Sequence, residues 1–366
     1  MWQQNKLTEL LGTSLPIVQA PMAGAAGLEL AVAVSEAGGL GSLACAPLDA
    51  GQLAQLLEAA SQATSKPLNF NFFCHQPPGE NKIQDQLWLD KQAPYFDELD
   101  LPAPTELSAG VIQPFDEARC EVLEVRPPAV VSFHFGLPSS ELVARVKATG
   151  AKLISSATTV EEARELVARG CDAVIAQGFE AGGHRGMFLT DDPATQIGGI
   201  SLIPRIIDAI DVPVIAAGGI ADARTVTAAL MLGAAGVQIG TAFLFTKEAT
   251  ISRIYRQQLL ASNNISTALT NVFSGRPTRC LVNRMMQETG PVTNDAPAFP
   301  KGFAVTAPLR THAEAKGCPD FSAHYCGQSA ALAQPATAVE FMHDLVVGTN
   351  EHLNKMAALS LPLSGP

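Results

Sequence analysis

Short apolar runs alternate with glycine-marked turns and with stretches of helical spacing over the first two thirds of the chain. Leu15-Pro16-Ile17-Val18-Gln19-Ala20 has strand length and ends at Pro21-Met22-Ala23-Gly24, after which Leu28, Leu30, Ala31, Val34 and Ala37 recur at helical spacing up to Gly38-Gly39. The unit repeats with a strand at 39–43, a helical face from Leu53, Leu56, Leu57 and Ala60, and a strand at 67–73. Residues 75–128 break the rhythm with prolines and the acidic patch Asp97-Glu98-Leu99-Asp100; they read as an excursion over the surface, helical at 113–125. Regularity returns with a strand at 129–135 and a helical face from Leu142, Val143 and Val146. A strand at 152–157 follows, and Thr158 with Glu161 forms a capping-box pattern ahead of the next helix. A sixth strand at 173–177 leads to a helix at 200–210 whose Pro204 fits near a helix start. The seventh, at 212–217, runs into Gly218-Gly219 and a helix with Asp222 as N-cap and Gly233 as stop, and the eighth lies at 235–241.

Eight strands alternating with helices over residues 15–250 predict an α/β fold, a (β/α)8 TIM barrel, with a doubly wound open sheet as the alternative. The domain reading is a barrel over 1–245 interrupted at 75–128, then a mostly helical subdomain over 246–366 laid against the barrel mouth. Ile251, Ile254, Leu259 and Leu260 carry its first helical face and Ala330, Leu332, Val339, Phe341 and Leu345 the later ones. Only 361–366 has a low-complexity character.

A net charge of −11 with no Lys/Arg cluster argues against nucleic-acid or membrane-surface partners and for small molecules. Seven cysteines without CxxC spacing predict free thiols, a cytoplasmic setting and no zinc. Neither an export signal nor a membrane span is predicted.

All loops that follow barrel strands open on one face, so Met22, Asn71, His134, Gln177, Gly218-Gly219 and Gly240-Thr241 are expected to converge. The stretch Gln177-Gly178-Phe179-Glu180-Ala181-Gly182-Gly183-His184-Arg185-Gly186 joins them. Its glycines permit close backbone approach to a flat ligand, and His184 is its one side chain able to exchange a proton near neutrality. A surface turn with a backbone-bonded histidine stands as the alternative. Glycine turns after strands seven and eight suit a phosphate, and the amides Asn71, Gln177 and Gln238 suit the polar edge of a flavin, which makes FMN the expected cofactor. FAD or NAD would more often bring a GxGxxG after the first strand, and there is none.

Gln19-Ala20-Pro21-Met22-Ala23-Gly24, Glu180-Ala181-Gly182-Gly183-His184-Arg185-Gly186, Ala217-Gly218-Gly219-Ile220 and Gly236-Val237-Gln238-Ile239-Gly240-Thr241, in this order, resemble class I nitronate monooxygenases, formerly called 2-nitropropane dioxygenases. Ser274-Gly275-Arg276-Pro277 and Gly327-Gln328 also resemble that family. The resemblance implies an FMN enzyme that oxidises alkyl nitronates with O2 through a flavosemiquinone, releasing a carbonyl compound and nitrite. It implies His184 and His134 as catalytic residues, the latter alternatively a core histidine satisfied by backbone. FMN contacts fall on Ala20, Pro21, Met22, Asn71, Gln177, Gly182, Gly183, Gly218, Gly219, Gln238, Gly240 and Thr241, and the substrate pocket on Met22, His134, Phe299 and Phe303. A neutral imidazole could take a Cα proton from a nitroalkane; an imidazolium could hold a nitronate. The chain departs from the family where Tyr, Tyr and Lys are usual, with Phe299, Phe303 and Ala307, so an apolar pocket is expected unless Arg310, Lys301 or Arg185 replaces the cation. An enoyl-thioester reductase of the related flavin barrels, a non-catalytic flavin-binding barrel and a flavin-free barrel lyase or isomerase are the competing readings. The oligomeric state is not legible.

Overall fold

The computed structural model describes residues 2–108, 110, 112–264 and 266–358; the low-complexity stretch at 361–366 lies outside them. In chain order the strands are β1 Ile17–Gln19, β2 Gly41–Ala44, β3 Leu68–Phe73, β4 Val130–His134, β5 Lys152–Ala157, β6 Ala173–Gln177, β7 Gly183–His184, β8 Val214–Ala217, β9 Gly236–Ile239, β10 Thr267–Thr270 and β11 Thr278–Leu281. Eight of them form one parallel sheet in the order β1-β9-β8-β6-β5-β4-β3-β2. A parallel bridge between Val18 and Leu40 joins its two edges, so the sheet is a nearly closed TIM-type barrel. β5 and β6 coincide with the predicted runs. β8 is shorter than its run because Pro213 has no N–H to donate to the ladder, although its carbonyl still accepts from Val174 N.

The register sets the mouth. Phe73 lies opposite His134, Gln177 opposite Ala217, and Ala217 opposite Gln238, so the C-terminal ends of β3, β4, β6, β8 and β9 stand level. Helices close the outside with one apolar face each. Leu28–Glu36 lies so near β2 that a Cβ on Gly41 would meet the carbonyl oxygen of Ala31 at 1.9 Å. Asp222 caps its helix as predicted. The Thr158/Glu161 pattern is shifted by one residue. Thr159 caps Glu162 N, and the buried Glu162 carboxylate accepts from the backbone N–H and hydroxyl of Thr158, each at 2.7 Å. Glu161 is exposed and Glu162 faces the barrel, which is why the reciprocal bond falls to Glu162. Pro204 sits mid-helix in Gly199–Ile207 rather than near its start; the amide it lacks would have met Ile200, whose surroundings are open to water.

The 75–128 stretch is more than surface. Its helix Lys82–Glu98, unforeseen in the sequence, buries Trp88, Leu89, Tyr95 and Phe96 with Val272, Phe273, Met285, Val305, Leu309 and Phe321, so it shares one core with the C-terminal region. The predicted helix at 113–125 is present as Glu117–Val125. The C-terminal region is not all helical: β10 and β11 pair antiparallel, and β11 takes β7 as a third strand. Helix Phe303–Ala315 covers the mouth side. The last helix, Ala338–Ala358, instead packs on the barrel helices Leu28–Glu36 and Ala223–Met231. No helix among the described residues is long and apolar enough to cross a membrane.

Candidate active site

The level strand ends surround a cavity of about 610 Å³. Its wall includes Ala20, Pro21 and Met22 after β1, Asn71 of β3, His134 ending β4, Gln177 ending β6, and Gly182, Gly183 and His184 of the next loop. Gly218 and Gly219 after β8, Gln238 of β9, and Gly240 and Thr241 beyond it complete the predicted set. Phe303 also lines it. Phe299 stands behind the wall, its ring 4.8 Å from His75 and 5.4 Å from both His184 and Phe135.

His184 is placed by β7. Thr278 and Arg279 pair with His184 and Gly183, while the Gln177 amide nitrogen donates to the His184 carbonyl at 3.0 Å and its oxygen accepts from Gly186 N at 2.7 Å. Gln177 therefore serves the loop with both polar atoms. His184 Nε2 lies 2.8 Å from the Ser274 hydroxyl. Its Nδ1 has no hydrogen-bond partner among the described residues and is reached from the cavity. Tyr325 and Phe303 flank the ring at 5.6 and 6.3 Å. Burial, then the nearby His134, Arg276 and His75, lower the His184 pKa to about 3, so the imidazole is neutral near pH 7.

His134 differs from His184 in having both ring nitrogens engaged. Nε2 is 3.2 Å from the His184 carbonyl oxygen, which can only accept, so Nε2 carries the proton; Nδ1 then accepts from the Ser156 hydroxyl at 3.1 Å. Burial lowers its pKa to about 4. Predicted as a second catalytic histidine, His134 has the geometry of a residue that holds the His184 backbone in place. Gly186 permits the approach, since a Cβ there would lie 2.9 Å from His134 Cε1. Phe135, next in the chain, turns at a φ of 68° and places its ring 4.4 Å from the guanidinium of Arg276. Arg276 pairs with Asp191 at 3.5 Å.

Arg185 is sealed beneath the loop, donating to Gly178 O and Gln177 O at 2.7 Å each and to Gln196 Oε1 at 2.9 Å. Gln196 donates to the Thr158 hydroxyl, which donates to Glu162. Burial, then the charge of Arg279, lowers the Arg185 pKa to about 9, leaving it charged near neutrality. Lys301 is tied to Asp85 at 2.7 Å. Of the three cations weighed for the pocket, only Arg310 reaches the cavity. It follows Phe303 and Ala307 along one helix face and has no hydrogen bond or ion pair among the described residues.

Two amide oxygens of cavity-lining residues have no hydrogen-bond partner among the described residues. Gln238 Oε1 is buried behind the wall and unpaired, and the Asn71 amide uses its nitrogen on the Ser132 hydroxyl at 2.8 Å, leaving its oxygen without a partner. Gly218 and Gly219 have φ of 99° and 74°, and Ser329 donates to the Gly219 carbonyl at 2.9 Å. Gly327 N donates to the Thr241 hydroxyl at 2.9 Å, so the 327–330 segment spans both glycine turns. Sequence reasoning assigned no role to Ser274, Tyr325 or Ser329. Ser274 lay inside a noted motif, while Tyr325 and Ser329 flank Gly327-Gln328 without a signal of their own.

A sequence profile described as nitronate monooxygenase matches residues 4–348. The chain belongs to the nitronate monooxygenase family. The chain is 41% identical to a nitronate monooxygenase of Pseudomonas aeruginosa over 345 residues, covering 93% of this chain and 98% of that one. The nitroalkane oxidase structure from Streptomyces ansochromogenes superposes with a TM-score of 0.88 at 38% identity, covering 96% of this chain and all of that one. FabK from Thermotoga maritima gives 0.74 at 26% identity, covering 98% and 99%. As a member of this family the chain is an oxidoreductase, and its nearly closed barrel is the fold shared with these structures.

Proposed function

We propose that the chain binds FMN and oxidises alkyl nitronates with O2 to a carbonyl compound and nitrite. The observation that carries the reading is one cavity lined by the Gly218-Gly219 and Gly240-Thr241 turns, by Gln238, whose amide oxygen has no partner among the described residues, and by the neutral imidazole of His184. The residues fit the cofactor. Gly218-Gly219 and Gly240-Thr241 suit its phosphate, where a side chain would block backbone N–H groups; Gln238 Oε1 can accept from a ring N–H; Met22 lies along the same wall. When bound, FMN supplies the electron-transfer chemistry that no side chain here offers.

The protein's own groups then bind and orient. His184 Nδ1 meets the nitronate, Gln177 and His134 hold the His184 backbone, and Phe73, Phe303 and Tyr325 exclude water. The seven unpaired thiols suit a reducing cytosol. The test is the visible spectrum of the purified protein, the identity of its acid-released flavin, and nitronate-dependent oxygen uptake with nitrite release. A colourless protein after reconstitution, released FAD, or NAD(P)H oxidation that depends on an enoyl thioester without nitrite would replace this reading.

A further inference from the structure

Ser274 is fully buried in the turn between β10 and β11. The turn is tightly walled, because a Cβ on Gly275 would meet the Pro297 carbonyl oxygen at 2.0 Å, and the Thr306 hydroxyl donates to the Phe273 carbonyl at 2.9 Å. The hydroxyl oxygen has three polar neighbours: His184 Nε2 at 2.8 Å, Arg276 N at 3.3 Å and Arg276 O at 3.4 Å. The backbone N–H of Arg276 donates to it, and its own proton can go to Nε2 or to Arg276 O. Hydroxyl-to-oxygen bonds run about 2.5–3.0 Å, so Arg276 O is out of good range while Nε2 is not. An Nε2 that accepts this proton carries none itself. In a neutral imidazole the single ring proton is then on Nδ1, the nitrogen that faces the cavity.

We propose that Ser274 is a positioning residue that fixes neutral His184 as its Nδ1–H tautomer, so that the imidazole meets the substrate as a hydrogen-bond donor and not as a base. This rests on the nitronate-oxidising reading above. A nitronate is already deprotonated and carries its charge on two oxygens, to which an Nδ1–H can donate. A neutral nitroalkane needs a base for its Cα proton, and Nδ1 in this tautomer has no lone pair to offer. The low proton affinity of the buried ring acts in the same direction. The pocket thereby selects the anion over its conjugate acid.

The test begins with FMN-loaded wild-type enzyme labelled with ¹⁵N in histidine, the His184 signals being identified by their loss in His184→Asn. Nitrogen shifts should report a protonated Nδ1 and an unprotonated Nε2; a protonated Nε2 overturns the proposal. Ser274→Ala should lower kcat/KM for an alkyl nitronate about tenfold, mainly through KM, the loss of one charge-assisted hydrogen bond. It should also raise the nitroalkane-to-nitronate activity ratio as Nδ1 becomes free to accept, and Ser274→Thr should restore both. A ratio that stays constant or falls in Ser274→Ala overturns the assignment. Wild-type enzyme without nitronate turnover would sink the functional reading instead, while the nitrogen shifts still decide the tautomer.

Discussion

Gly186→Ala tests how His184 is held. Gly186 lies outside the left-handed region, so alanine meets no backbone strain there and the effect is purely one of space. The new Cβ would stand 2.9 Å from both His134 Cε1 and Ser156 Cβ. Carbon atoms settle at about 3.5–4.0 Å, so one side must move by roughly 0.6–1 Å. His134 and Ser156 are hydrogen-bonded to each other and packed in the barrel, so relief comes from the loop that carries His184. Overpacking of this kind costs about 1–3 kcal/mol. With an unfolding entropy of about 2.1 cal/mol/K per residue over 366 residues, the melting temperature should fall by about 1–4 °C. The functional loss should be larger, because a misplacement near 1 Å at a reacting group can cost about 10²-fold. Differential scanning fluorimetry and steady-state oxygen uptake with an alkyl nitronate measure the two effects. A variant with a lowered melting temperature and kcat/KM within twofold of wild type would show that the Gly186–His134 contact does not set the position of His184.

Gly219→Val should weaken retention of FMN, since Gly219 has a φ of 74° and a β-branched residue there is strained; the flavin-to-protein absorbance ratio after gel filtration checks it. His75, His134 and His184 have pKa values lowered from 6.5 to about 4, 4 and 3, so the unfolded chain takes up protons first as the solution is acidified. Their contribution to stability is complete above pH 6.5 and is lost as pH falls towards 4; melting temperatures across that window should decline less steeply in His134→Gln than in wild type, and equal slopes would refute the assignment. Arg310→Ala should lower kcat/KM for a nitronate with a terminal carboxylate by about tenfold relative to an uncharged one of similar length, because the guanidinium on the wall has no hydrogen bond or ion pair among the described residues. An unchanged ratio would restore the apolar pocket inferred from Phe303 and Ala307.

The barrel was legible in the sequence because its signals are local. Each strand is a short apolar run closed by glycine or proline, and each helix repeats its apolar residues at fixed spacing. Helix Lys82–Glu98 hid because its pattern is inverted in places: Ile83 and Leu87 are exposed while Gln92 is fully buried, and its partners lie some 180 residues further on. Strand β7 hid because two residues, Gly183 and His184, become a strand only through pairing with Thr278 and Arg279. The same distance concealed the difference between the two histidines. Both stand at strand ends, yet Ser156 and a backbone carbonyl occupy His134, and Ser274 turns one nitrogen of His184 towards the cavity. A strand-end histidine in a sequence shows where a ring will be and not which of its nitrogens is free.

Because β7 belongs to the small antiparallel sheet of the C-terminal region, the His184 imidazole is anchored in two modules at once. Its loop leaves the barrel, but its backbone ladder is supplied by the covering layer, which also contributes Phe303, Arg310 and Tyr325 to the cavity. Exchange of the covering layer between homologues would therefore carry over substrate preference and the aim of His184 as one inherited unit. A barrel grafted with a foreign cover should keep its Gly218-Gly219 and Gly240-Thr241 turns intact and still lose the alignment of His184.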